Sequence, residues 1–139
     1  MSNVTRFGVS LDDELLQKFD DLIEKIGYSS RSEALRDLIR NRLVEEEWKE
    51  ESTVTIGILG LTFDHAAREL TEKLTKIQHQ NIHAIVSSTH IHLDHHNCLE
   101  VIILKGESGL IKRIADELIS TKSVKHGKLL MMTTGSRLF

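Results

Sequence analysis

A chain of 139 residues that is 40% hydrophobic holds enough apolar surface for one ordinary domain or two small ones. Eighteen Lys and Arg against twenty-one Asp and Glu leave a net charge of −3, with neither a bulk basic excess nor an acidic block to identify a partner. One cysteine excludes an internal disulfide, the opening Met-Ser-Asn-Val-Thr-Arg lacks a signal-peptide pattern, and no apolar run approaches the roughly 18 residues of a membrane span, so a cytoplasmic protein with no membrane partner is expected.

The first element is a short alternating segment, Thr5 to Ser10, with Phe7 and Val9 on one face and Arg6, Gly8 and Ser10 on the other. It reads as one strand with no neighbour in the sequence to pair with. An unpaired strand leaves its ladder groups unsatisfied, so the simplest partner is the same strand of a second chain across a two-fold axis. Residues 11–26 then place Leu11, Leu15, Leu16, Phe19, Leu22, Ile23 and Ile26 at helical spacing, and Gly27 stands where a helix stops. Ser30 with Glu33 fits a capping box, and Ala34, Leu35, Leu38, Ile39, Leu43 and Val44 carry a second helix to about Glu47. The charged stretch Glu45 to Glu51 reads as helix end and linker.

From Thr53 the pattern changes. Residues 54–63 read as a strand, and a helix from about Asp64 carries Ala67, Leu70, Leu74 and Ile77 on one face. Ile82 to His92 and Cys98 to Leu104 read as two further strands. Gly106 to Gly109 reads as a turn, Leu110 to Ser120 as a helix and Val124 to Thr133 as a closing strand. The order β-α-β-β-α-β is that of a ferredoxin-like sheet covered by helices on one face, which makes the whole chain α+β.

Six of the eight histidines fall between His79 and His96. His90 and His92 are two apart in a strand and therefore share a face. If residues 93–97 form a hairpin loop, Cys98 lies opposite or close to His92, and two imidazoles meet a thiol. Glu100 shares the face of Cys98 and can orient an imidazole as a hydrogen-bond acceptor. His79 precedes a strand that rises about 3.3 Å per residue, which puts it on the order of 30 Å from His90 and makes it a ligand only from another subunit. His95 and His96 fall in the loop, and His65, His83 and His126 have no companions, so these five read as solvated. Three imidazoles and a thiolate suit Zn²⁺ when tetrahedral and Ni²⁺ or Cu²⁺ when square-planar, and spacing leaves that choice open. Four protein ligands leave no position for substrate, which points away from an enzyme.

A paired two-stranded ribbon presenting Arg6, Gly8 and Ser10 has the width of the DNA major groove. The amide ends of helices starting near Ser30, assisted by Arg31, suit phosphates on either side. Seven basic and eight acidic residues up to position 44 give no general basic footprint, so a plain dimerisation strand is the competing reading.

Residues 6–16, Arg-Phe-Gly-Val-Ser-Leu-Asp-Asp-Glu-Leu-Leu, followed by 27–40, Gly-Tyr-Ser-Ser-Arg-Ser-Glu-Ala-Leu-Arg-Asp-Leu-Ile-Arg, resemble the ribbon-helix-helix DNA-binding domain. The second half resembles an ACT-type domain. Gln78-His79, His90-Ile91-His92-Leu93-Asp94-His95 and Cys98-Leu99-Glu100 resemble the signature of the nickel-responsive regulators of the NikR family, over nearly the whole chain. That resemblance implies a ribbon-helix-helix domain over 1–48, a linker over 49–52 and an ACT-type domain over 53–139. It implies a homotetramer, a dimer of dimers, that binds operator DNA and represses nickel uptake. It implies one square-planar Ni²⁺ per subunit, held by His90, His92 and Cys98 with His79 of another subunit, and with Gln78 and Glu100 in their surroundings. It also suggests a weaker cation at Glu33 and Asp37, which read from spacing alone are solvated acids. The match departs at Gly8, where family members often present a hydroxyl, and after His79, where Gln80-Asn81-Ile82 replaces a longer histidine run. A metal storage or delivery protein, in which the N-terminal strand only dimerises, is the alternative from another class.

Overall fold

The computed structural model describes residues 3–138 and runs α1 (Asp13–Ile26), α2 (Arg31–Lys49), β1 (Val54–Asp64), α3 (Arg68–Gln80), β2 (Ile85–His92), β3 (Asn97–Glu107), α4 (Ser108–Ile119) and β4 (Val124–Met132). The chain divides inside α2. One compact unit reaches to Leu43 and is joined by the residues from Arg137, and the other spans Val44–Ser136.

In the first unit, Asp12 rather than Leu11 starts α1, because its carboxylate accepts the orphan Leu15 N–H at 2.8 Å. Gly27 ends it at φ 100°, and the Gly27 and Tyr28 amides return to the carbonyls of Ile23 and Glu24. The box before α2 is shared between two serines. Ser30 Oγ accepts the Glu33 N–H at 3.2 Å, while the Glu33 carboxylate takes the Ser29 hydroxyl at 2.5 Å. Residues 3–12 carry no helix or strand, so the strand expected at Thr5 to Ser10 is not formed within one chain, where no neighbouring strand pairs with it.

The second unit is a four-stranded antiparallel sheet in the order β2-β3-β1-β4. Burial alternates along β1 and β3, as a sheet with one covered face requires. Leu59, Leu61, Phe63, Cys98, Ile102 and Leu104 point inward, where Leu70, Leu74 and Ile77 of α3 and Ile111, Ile114 and Leu118 of α4 close the core. The opposite face exposes Ile91, Leu130 and Met132.

Further expected boundaries move. The helix expected from Asp64 begins at Arg68, since β1 pairs through Asp64 with Asn97. β2 begins at Ile85 instead of Ile82, because residues 81–84 coil into turns closed by Ala84 N–H to Asn81 O and Ile85 N–H to Ile82 O. The turn expected at 106–109 is absent. There the first amides of α4, on Ser108 and Gly109, donate to the carbonyls of Thr53 and Glu51 at 2.9 and 3.0 Å, so strand passes straight into helix.

Those bonds also fix the segment expected to be a linker. Trp48, only 2% exposed, belongs to the core of the second unit, and its indole N–H donates to Met132 O at 2.8 Å. Its own carbonyl accepts from Lys112 Nζ at 2.6 Å, and Glu50 O accepts from Ser108 Oγ at 2.9 Å. A side chain at Gly109 would meet Glu51 Cβ at 2.9 Å, so glycine is what lets the two segments approach.

Candidate metal centre

The alternation of β2 and the short hairpin 93–96 determine where the donor atoms point. His92 stands directly across from Cys98, and His90 directly across from Glu100, so both imidazoles rise from the helix-covered side of the sheet at its β2 edge. The loop between them is an Asx-type turn. One Asp94 oxygen accepts the backbone N–H groups of His96 and Asn97 at 2.8 and 2.7 Å. Together with the Asn97 side-chain amide, those bonds hold the Asp94 carboxyl down to a pKa of about 2.

Cys98 is 1% exposed and His92 is exposed, so the edge of the sheet juxtaposes a dry sulfur and a wet imidazole. Burial pushes the Cys98 thiol up, and the nearby carboxylates of Glu100 and Asp64 push it the same way. A metal binding this sulfur must therefore displace a tightly held proton. Glu100 is buried and satisfied: its Oε1 accepts from Gln78 Nε2 at 2.8 Å and from Ser88 Oγ at 2.6 Å, and lies 3.6 Å from His90 Nε2.

His79 does not stand where strand length alone would put it. Its neighbour Gln78 reaches Glu100, which faces His90, so the separation expected to be on the order of 30 Å is far shorter. What keeps His79 apart is helix geometry. Gln78 points into the core, whereas His79, turned about 100° around α3, faces solvent beside Thr75 and Lys76. Among the described residues, no three His, Cys, Asp or Glu side chains of this one chain stand close enough together to hold an ion. The set His90, His92 and Cys98 suits a thiolate- and imidazole-binding metal in its chemistry and shares one face.

Sequence reasoning passed over two aromatic neighbours. Phe63, buried at the end of β1, meets the His90 ring edge-on with centroids 6.2 Å apart. His65, two residues on, meets the His92 ring edge-on at 5.4 Å, and its Nε2 lies 2.8 Å from His95 O. His65 has no companion in the sequence. The β1–β3 pairing supplies one by carrying it across the sheet.

In the first unit, Arg6, Gly8 and Ser10 are exposed on the segment 3–12. Ser30 is spent on capping α2. Both Nε and Nη2 of Arg31 donate to the Asp20 carboxylate at 2.8 Å, which holds Asp20 below and Arg31 above its ordinary range. Asp37 accepts the Tyr28 hydroxyl at 2.7 Å, which pushes the Tyr28 pKa up, and Glu33 is held by Ser29. Both carboxylates of the suggested second cation pair are thus engaged by hydroxyls.

Comparison with known proteins covers both units. A family model described as the NikR C terminal nickel binding domain matches residues 56–132, and one described as a ribbon-helix-helix protein of the copG family matches residues 5–46. A nickel-responsive regulator of Geobacter metallireducens is 53% identical over 138 residues, covering 99% of each chain. One from Caldanaerobacter subterraneus subsp. tengcongensis is 51% identical over 138 residues, 99% of this chain and 90% of its own. One from Thermococcus onnurineus is 51% identical over 135 residues, 97% of this chain and 98% of its own. Among solved structures, an uncharacterised Thermotoga maritima protein superposes with a TM-score of 0.46 at 8% identity, over 58% of this chain and 98% of that one.

Proposed function

We propose, from the premise that this chain belongs to the family of nickel-responsive regulators, that it is a transcription factor that binds operator DNA when nickel-loaded and then represses genes for nickel uptake. The observation that carries the site assignment is the register of His92 against Cys98, with His90 two residues back on the same face. These three are the nickel ligands of one subunit, and His79 of a neighbouring subunit completes a square-planar set, one ion per subunit. When bound, nickel supplies a rigid cross-link between donors of two chains. Glu100, gripped by Gln78 and Ser88, offers its carboxylate toward the His90 imidazole and biases the orientation of that ring.

The chain works as an oligomer. Phe7, Val9, Leu15, Leu22, Ile26, Leu38 and Ile39 stay exposed in the first unit, as do Ile91, Leu130 and Met132 on the open sheet face of the second. A homotetramer built as a dimer of dimers covers both sets. In it, the paired segments 5–10 present Arg6, Gly8 and Ser10 to the major groove, and Ser30 and Arg31 flank them toward phosphates, with Arg31 exchanging its Asp20 partner for a phosphate oxygen. Nickel acts by favouring the arrangement of DNA-binding dimers that matches two half-sites. A coupling of about 1–3 kcal/mol changes operator affinity about 5- to 150-fold, and DNA tightens nickel by the same factor.

A gel-shift on the promoter upstream of this chain's own gene or of the nearest nickel transporter, with and without one equivalent of Ni²⁺, tests the proposal. The thiolate-to-nickel absorption is followed in the same sample. Nickel-dependent retardation that disappears together with that absorption in Cys98→Ala is expected. Nickel binding with no shifted fragment would leave the N-terminal segment a dimerisation device and favour storage or delivery.

A further inference from the structure

We propose that Phe63 and His65 form an aromatic brace that sets the ring planes of His90 and His92 before any metal arrives. The inference rests on the nickel reading of those two histidines and adds positioning residues to it. Phe63 and His65 are two apart, as are His90 and His92, and β1 runs parallel to β2 because both are antiparallel to the β3 between them. The two pairs therefore meet in order. Phe63 is edge-on to His90 at 89° and His65 edge-on to His92 at 87°, the geometry in which the positive rim of one ring faces the negative face of the other.

The two braces are anchored differently. Phe63 is fixed by burial, 1% exposed and paired across the ladder with the equally buried Cys98. His65 is exposed and is fixed by hydrogen bonds: its backbone N–H donates to His96 O at 3.0 Å, and its ring Nε2 faces His95 O at 2.8 Å. A carbonyl oxygen only accepts, so Nε2 carries the proton and is spent on the hairpin. That makes His65 a positioning residue with Nε2 unavailable as a ligand. Holding two imidazoles near their bound orientation lowers the ordering cost that nickel otherwise meets.

Full-length protein with His65→Ala, His65→Phe or Phe63→Leu is compared with the wild type in two measurements: ring-carbon relaxation of His90 and His92 in the metal-free state, and Ni²⁺ titration followed by the thiolate absorption. His65→Ala is expected to raise His92 ring mobility and weaken nickel about 10- to 100-fold, whereas His65→Phe, which keeps the edge contact but loses the Nε2 bond to His95 O, is expected to fall between Ala and wild type, weakening nickel by less than about tenfold. Phe63→Leu, which keeps most of the core volume, is expected to mobilise His90 and leave His92 ordered. Unchanged ring mobility in His65→Ala overturns the brace. Equal loss in His65→Phe and His65→Ala also overturns it, since the edge contact of the two rings would then contribute nothing. A wild-type chain that binds no nickel would sink the nickel reading, while the metal-free relaxation would still decide the brace.

Discussion

Between Val44 and Ser136 a single chain closes its own core: Trp48, Leu59, Leu61, Phe63, Ile102, Leu104, Ile111 and Leu118 are buried among one another. Ahead of Val44, Ile23 and Ala34 are the buried apolar side chains among the described residues, and Phe7 remains 73% exposed beside a string of solvent-facing leucines and isoleucines. The contrast has a geometric cause. Each strand in the second unit finds its ladder partner within the same chain, and the covered face then follows. The segment 5–10 pairs with no strand of its own chain among the described residues, so within one chain neither its backbone nor its apolar face is satisfied. One unit closes a core within a single chain and the other does not.

The strongest way to break that contrast is Phe7→Asp. It is expected to cut operator affinity by more than about a hundredfold, equivalent to about 2.8 kcal/mol, and to lower the sedimenting mass, while leaving the thiolate absorption of the nickel-loaded second unit intact. An unchanged mass and gel-shift would mean that the first unit is complete within one chain.

Comparable in size is Trp48→Ala. Removing a buried indole from the second unit is expected to cost about 3–5 kcal/mol of unfolding free energy, read by urea denaturation of the metal-free protein. A loss below about 1 kcal/mol would put the last turn of α2 outside the core and restore residues 49–52 as a true linker.

The smallest effect concerns the Asp20–Arg31 pair at the start of α2. Arg31 holds the Asp20 carboxyl below its ordinary value of 3.8, so the pair's contribution is complete above that pH and is lost as pH falls through the lower, folded value. An NMR titration of the Asp20 carboxyl carbon is expected to give a midpoint below 3.8 that returns to the ordinary range in Arg31→Met. It is also expected to show no depression in the operator complex if Arg31 leaves Asp20 for a phosphate.

Helices and strands were legible in the chain because their periods differ: three- and four-residue spacing over 11–26 and 30–47, two-residue alternation from residue 54. The ends were less legible. Asp12 displaced Leu11 as the start of α1 through one side-chain bond, and the turns at 81–84 shortened β2, because caps and turns depend on a few hydrogen bonds that pattern counting does not weigh. His90, His92 and Cys98 could be placed on one face from spacing and a hairpin. The position of His79 could not, since its closeness to the site came from α3 folding back over the sheet until Gln78 touched Glu100.

What the sequence by itself determined about this protein is the division into a first half of two helices and a β-α-β-β-α-β half, the covered face of each strand, and the shared face of His90, His92 and Cys98. These follow from local periodicity, which short-range sterics impose on any chain. Only the tertiary structure decided that Trp48 belongs to the second core and that His79 is kept apart by its helix face. It also decided that Phe63 and His65 reach His90 and His92. Each of these joins residues far apart along the chain, and such pairs meet only where the strand order β2-β3-β1-β4 and its register bring them together.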